Sequence, residues 1–202
     1  MKKLIMLAVA AMFATVNVNA QTAGEMYIKP MVGGTLSTLT GDTEGAKMRF
    51  GFVGGAEFGY NISNQFAVTA GLLASMQGAS YKDTNYTKDA STTLTYLNVP
   101  ILANYYLAPG LAIKAGIQPG FLLSAKSKGT ELEGTQWVKY DESGTSGLKK
   151  VDISIPLGLS YEFDGIVIDA RYNLGLTKIN DYDLGKVKNG VIMLTVGYKI
   201  PL

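Results

Sequence analysis

The chain has 202 residues, rich in Gly (24), Tyr (12) and Phe (7), with no Cys and no His. That absence excludes a disulfide framework, a thiolate nucleophile, a Ser-His triad and the usual zinc sites. Lys plus Arg number 18 against 16 Asp plus Glu, and taking Lys2 and Lys3 away with a leader (18 minus 2) leaves 16 against 16. A neutral balance gives no reason to expect nucleic acid, which requires a clustered positive face.

Residues 1–20, MKKLIMLAVAAMFATVNVNA, have a charged start, a short apolar stretch and a small residue, Ala20, before Gln21. This is the pattern of a cleaved secretory signal peptide. The remainder, 21–202, has no Pro/Ser-rich linker or long charge run to divide it and is expected to form one domain.

From Met26 the dominant signal is period-2 alternation, which marks strands with two chemically different faces. Eight runs show it in chain order: 26–37, 48–60, 66–79, 93–107, 111–124, 149–163, 166–176 and 189–200. In the second, Phe50, Phe52, Phe58 and Tyr60 share one face, while Arg49, Gly51, Val53 and Glu57 share the other. In the sixth, Val151, Ile153, Ile155, Leu157 and Leu159 oppose Asp152, Ser154, Gly158 and Ser160. Each run reaches the ~9 to 11 residues that a tilted strand needs to cross a bilayer.

The connectors alternate in length. Asn61–Gln65, Ala108–Gly110 and the Asp164-Gly165 pair are short, the last a strong hairpin signal. The others are longer and polar, the longest spanning 125–148. Short turns on one side and long loops on the other predict an all-β fold, an eight-stranded antiparallel up-and-down transmembrane β-barrel with short periplasmic turns and longer extracellular loops. Transmembrane helices are the competing membrane reading over 97–125, but Pro100, Pro109, Gly110, Gly116, Pro119 and Gly120 interrupt them. A closed barrel has no edge on which to hide a missing donor, so Pro100 and Pro156 are expected to make a local bulge or kink.

If the apolar faces meet lipid, the opposite faces line the lumen. That places Lys29, Arg49, Glu57, Lys114, Asp152, Glu162, Asp169, Arg171 and Lys199 inside, with Tyr96, Asn98, Asn104 and Gln118 among them. Eight strands enclose just enough room for side chains, and buried charges must be paired. An ion-paired plug is therefore expected; a narrow polar path for small solutes would use the same residues.

Catalysis has little to work with. Asp152 and Glu162 lie ten residues apart on one strand, about 33 Å at ~3.3 Å per residue, too far to act together. Asp181, Asp183 and Gly185 resemble a piece of a calcium loop, but the twelfth position, where a bidentate Glu is needed, is Ile192. No enzyme activity, metal or cofactor is expected. Trp137 and Tyr140 in the longest loop are candidates for binding an extracellular ligand of unspecified chemistry.

YLNVPILANYY (96–106), IDARYNLGLTKI (168–179) and VIMLTVGYKI (191–200) resemble strands four, seven and eight of the small outer-membrane β-barrel family of porin-like or PorT-like proteins. The resemblance implies a Gram-negative outer-membrane location, with membrane lipid and the barrel-assembly machinery as partners, and it implies no catalytic residue. The end, Lys-Ile-Pro-Leu, departs from the terminal aromatic that barrel-assembly signals usually carry. A soluble, secreted lipocalin-like binder is the alternative from a different class; it would turn its apolar face inward.

Overall fold

The computed structural model describes residues 21–42, 45–181 and 185–202. The expected signal peptide, 1–20, lies outside the described residues, as does Asp183 of the calcium-loop fragment.

The strands are β1 (Met26–Gly41), β2 (Ala46–Lys47), β3 (Arg49–Asn61), β4 (Phe66–Tyr81), β5 (Thr87–Asn98), β6 (Ile101–Ala108), β7 (Leu111–Glu133), β8 (Gln136–Ser143), β9 (Val151–Phe163), β10 (Ile166–Gly175), β11 (Val187–Tyr198) and β12 (Ile200–Pro201). Neighbours pair antiparallel in the order β11-β10-β9-β7-β5-β4-β3-β1. β11 pairs again with β1, from Met31 opposite Gly197 to Gly41 opposite Val187, which closes the ring. β6 continues β5 between β4 and β7, and β12 continues β11 beside β1. The wall is therefore eight strands around.

Period-2 patterning sets the two faces. Val32, Phe52, Leu72, Ile113, Leu159, Ile168 and Leu194 point outward and are 41–68% exposed, the band that contacts lipid. Tyr60, Tyr105, Phe163 and Tyr198 are exposed near the short-turn end, where an interfacial aromatic girdle belongs. The tightest turn, Asp164-Gly165, has φ of 51° and 80°; two successive positive values make it type I′, matched to the twist of β9 and β10.

Two expectations need correction. Residues 125–148 are not one irregular loop, because β7 runs on to Glu133 and turns back into β8. The ladder from Lys126 opposite Ser143 to Glu133 opposite Gln136 forms a hairpin projecting from the wall. The prolines make no bulge. Around Val99-Pro100, β5 and β6 meet β4 with Asn98 opposite Leu73 and Ile101 opposite Ala70, three residues apart on both strands. They meet β7 with Asn98 opposite Gly120 and Ile101 opposite Ile117, again in step. Pro156 behaves the same way: β7 and β9 stop pairing between Ala115 opposite Leu157 and Gln118 opposite Ser154, without a change of register. Each proline skips rungs of the ladder, which accommodates the missing N–H without inserting a residue. The bulge in this part of the wall is elsewhere, where Thr95 faces Ser124 but Tyr96 faces Leu122.

Candidate functional site

The inward face is stacked in layers from the short-turn end to the loop end. Nearest the turns, Lys199 lies 3.4 Å from both Glu25 and Glu162 and donates to Gln21 Oε1. The Gln21 amide donates to Glu162 at 2.9 Å, and Asn61 donates to Glu25 at 2.9 Å and to Gln21 at 3.2 Å. The Lys199 ammonium also stands 4.6 Å over the Tyr27 ring, a cation–π contact. Tyr27 fits because it faces Gly59, where a Cβ would come within 2.1 Å of the ring.

The next layer is the dense one. Lys29 on β1, Glu57 on β3, Lys114 on β7, and Asp169 and Arg171 on β10 converge, none more than 7% exposed. Arg171 grips Asp169 through Nε at 2.6 Å and Nη2 at 2.9 Å. Its Nη1 reaches Glu57 at 2.6 Å, and Lys29 meets the same carboxylate at 2.8 Å. These two Glu57 contacts are ion pairs whose angles fall short of hydrogen-bond alignment. Lys114 donates to Asp169 Oδ2, and Lys29 sits 4.0 Å from that oxygen. Glycines clear the space: a Cβ at Gly71 would meet Glu57 Cγ at 2.7 Å, and one at Gly158 would meet Arg171 Cγ at 2.9 Å. Three cations and two carboxylates, cross-linked over four strands, occupy the lumen at this depth.

Toward the loops the charges give way to amides and hydroxyls. Asn98 donates to Ser75 at 2.7 Å, and Gln77 donates to the same hydroxyl at 2.9 Å. Gln118, Asn173 and Asn189 border a void of about 10 Å³, on the scale of one water and smaller than a hydrated ion. Asp152 accepts from Thr177 at 2.6 Å and from Asn189 at 2.8 Å. Beyond it the interior turns apolar, with Leu39, Ala79, Leu94, Tyr96, Leu122, Ala125 and Ile179 buried together.

The nine charged residues expected in the lumen therefore separate. Five join in the central cluster, Glu162 and Lys199 belong to the turn-end layer, and Asp152 sits under the loop end. Arg49 joins none of these groups; it is half-buried at the start of β3, opposite Ser37. Tyr96, Asn98, Asn104 and Gln118 are buried as expected. Trp137 and Tyr140 lie on β8 three residues apart, so they project to opposite faces of the hairpin and form no common patch. Lys88 from β5 stands 4.1 Å over the Trp137 ring. Tyr140 packs over Gly129, where a Cβ would meet its hydroxyl oxygen at 2.6 Å. On the same hairpin Asp141 lies 3.2 Å from Lys128 and 3.3 Å from Lys126; the Lys128 ammonium holds its carboxyl below the usual carboxylate range.

Gln21, Glu25 and Asn61 were not legible as lumen groups, since Gln21 and Glu25 precede the first alternating run and Asn61 falls in the short connector after the second. The apolar outer layer was equally hidden, because β1, β5 and β7 run past the limits that alternation marks. A signal was present in Leu94 and Tyr96, which share the inward parity of Asn98 but are apolar.

Several solved structures align with this chain. Ail, the attachment invasion locus protein of Yersinia pestis, aligns over 89% of this chain and 100% of its own, with TM-score 0.52 and 18% identity. Ail in complex with the heparin analogue sucrose octasulfate aligns over the same shares with TM-score 0.51 and 20% identity. Neisserial surface protein A aligns over 87% and 97% with TM-score 0.48 and 13% identity. No curated protein matches the sequence. Residues 16–181 match the outer membrane protein beta-barrel domain. The outward apolar band agrees with that match and overturns the soluble lipocalin-like alternative, whose apolar face would point inward. An eight-stranded ring with lipid-facing apolar residues, a paired polar interior and this match over most of its length make the chain a member of the outer-membrane β-barrel family, located in the outer membrane.

Proposed function

We propose that this protein is a closed barrel, filled by ion-paired side chains, that serves a structural or surface-binding role without catalysis. One observation carries the reading: Lys29, Glu57, Lys114, Asp169 and Arg171 span the lumen at no more than 7% exposure. Opening a path through them would separate buried charges, each separation leaving an unpaired ion in a low-dielectric interior. The amide layer above, with room for about one water, supports the same conclusion. Mixed signs also argue against a selective pore, which is ordinarily lined by rings of one charge.

Purified protein reconstituted into planar bilayers tests this directly. The closed barrel gives no stepwise conductance across a range of salt concentrations. Steady channels whose conductance scales with salt would replace it with the narrow porin, passing small solutes through the same residues.

A further inference from the structure

We infer that the outer mouth of the barrel is a binding cup for a small amphipathic molecule with an apolar body and a hydrogen-bond-donating head. The inference rests on the closed-lumen reading only in that the cup has a floor. A cavity of about 550 Å³ opens at the loop end; its apolar floor is the buried group Leu39 of β1, Leu94 of β5, Ala125 of β7 and Ile179, and its apolar walls are the half-buried Tyr81, Leu148 and Val187 packed against that group. Its rim is polar, made by Thr92, Ser127, Glu142 and Ser146 among others.

Apolar side chains pointing into a barrel also have a simpler use, as a small core that ties the loop ends together. A core of that kind packs at close to crystalline density and leaves few voids larger than a water. Here the volume falls within the roughly 300–1,000 Å³ typical of small-molecule sites, and apolar walls with a few polar groups are their usual lining. Beneath the floor, Tyr96, Asn189 and Asp152 close the way down. A molecule entering from outside is retained there instead of being passed on.

The rim selects the head group. Glu142 is the charged side chain among the described residues lining the cavity, and the others are hydroxyl, amide, backbone or apolar groups. A hydroxyl or ammonium finds acceptors there; a carboxylate or sulfonate would face Glu142 without a lysine in the lining to offset the repulsion. The occupant is therefore a neutral or cationic amphiphile, with an aromatic or short aliphatic body.

Methyl-labelled barrel in phospholipid nanodiscs is titrated with phenethylamine, phenethyl alcohol and 3-phenylpropionate. The amine and the alcohol shift the Leu39, Leu94 and Ile179 methyls saturably, and the acid binds at least tenfold more weakly. Lipid-facing Leu72 and Leu194 report partition into the bilayer and stay still. Filling the cup by Ala125→Phe, or from the loop by Leu148→Trp, weakens binding at least tenfold in variants that retain heat-modifiable gel migration. Glu142→Gln lowers the preference for amine over alcohol several-fold. Shifts that grow linearly and equally at Leu72, or saturable shifts untouched by both filling variants, overturn the cup. Equal binding of the acid overturns the head-group assignment. Conductance separates the two proposals: channels with intact cup binding sink the closed lumen alone, and a silent bilayer without cup binding sinks the cup alone.

Discussion

Asp169 and Arg171 stand two residues apart on one strand, and inside the barrel their side chains close on each other through two hydrogen bonds of 2.6 and 2.9 Å. Strand geometry makes this pair, since residues i and i+2 share a face. The free edge of the guanidinium then crosses to Glu57 on β3. Arg171→Ala leaves two buried carboxylates short of a partner and is expected to cost about 3–5 kcal/mol. Urea unfolding in lipid vesicles measures it. Arg171→Lys recovers only part, because an ammonium cannot bridge both carboxylates as a planar fork does; full recovery would show that charge alone suffices.

Gly158 makes room for that arginine. A Cβ there would lie 2.6 Å from the Ala170 carbonyl oxygen and 2.9 Å from Arg171 Cγ. Gly158→Ala is expected to cost about 1–3 kcal/mol through overpacking. Removing the arginine relieves the contact with its Cγ though not the one with the Ala170 carbonyl, so the double variant Gly158→Ala/Arg171→Ala costs somewhat less than the two separately. Strict additivity in the same unfolding assay would disconnect the glycine from the network.

Pro100 and Gly116 give a contrast on neighbouring strands. Pro100 already lies where the ladder skips, so Pro100→Ala keeps the register and changes stability by about 1 kcal/mol or less. Gly116→Ala would press a Cβ to within 2.0 Å of the Ile101 carbonyl oxygen, a backbone atom that no rotamer change can move. Slowed refolding or a loss of more than about 2 kcal/mol is expected there, at the upper part of the overpacking range. Similar midpoints for both variants would count against this account of the skipped rungs.

Asp141 is the accessible titration. With Lys128 and Lys126 beside it on the exposed hairpin, its carboxyl titrates below the ordinary carboxylate range. Its support for the hairpin is thus present above the ordinary carboxylate value and disappears as the pH falls through the lowered one. Carboxyl-carbon NMR follows the shift, which Lys128→Ala and added salt both return toward the ordinary carboxylate value. An unchanged midpoint in Lys128→Ala would assign the shift to something other than that ammonium.

The ring and the inward placement of most charged residues were legible because one face of each strand must be apolar, and a single parity error would expose it entirely. Glu57, Asp169 and Arg171 follow from parity alone. Parity does not give depth. It placed Arg49 with the lumen group although that residue sits near the loop end, eight positions from Glu57 along the same strand. Nor does it see extensions beyond the membrane, where β7 and β8 pair as a ribbon with no lipid to impose an apolar face. Pro100 misled for a related reason: a missing N–H can be accommodated by an extra residue or by a skipped rung, and composition does not distinguish them. Only the unchanged register on both neighbouring strands does.

The closing pair of the ring, Met31 with Gly197, joins positions 166 apart in sequence (197 minus 31), and Tyr27 meets Pro201 on the same seam. Until the distal strand arrives, β1 offers an open edge of unpaired amides and carbonyls. No order of strand formation along the chain can seal that edge early. An unpaired edge cannot face lipid, so insertion and closure become late, coupled events.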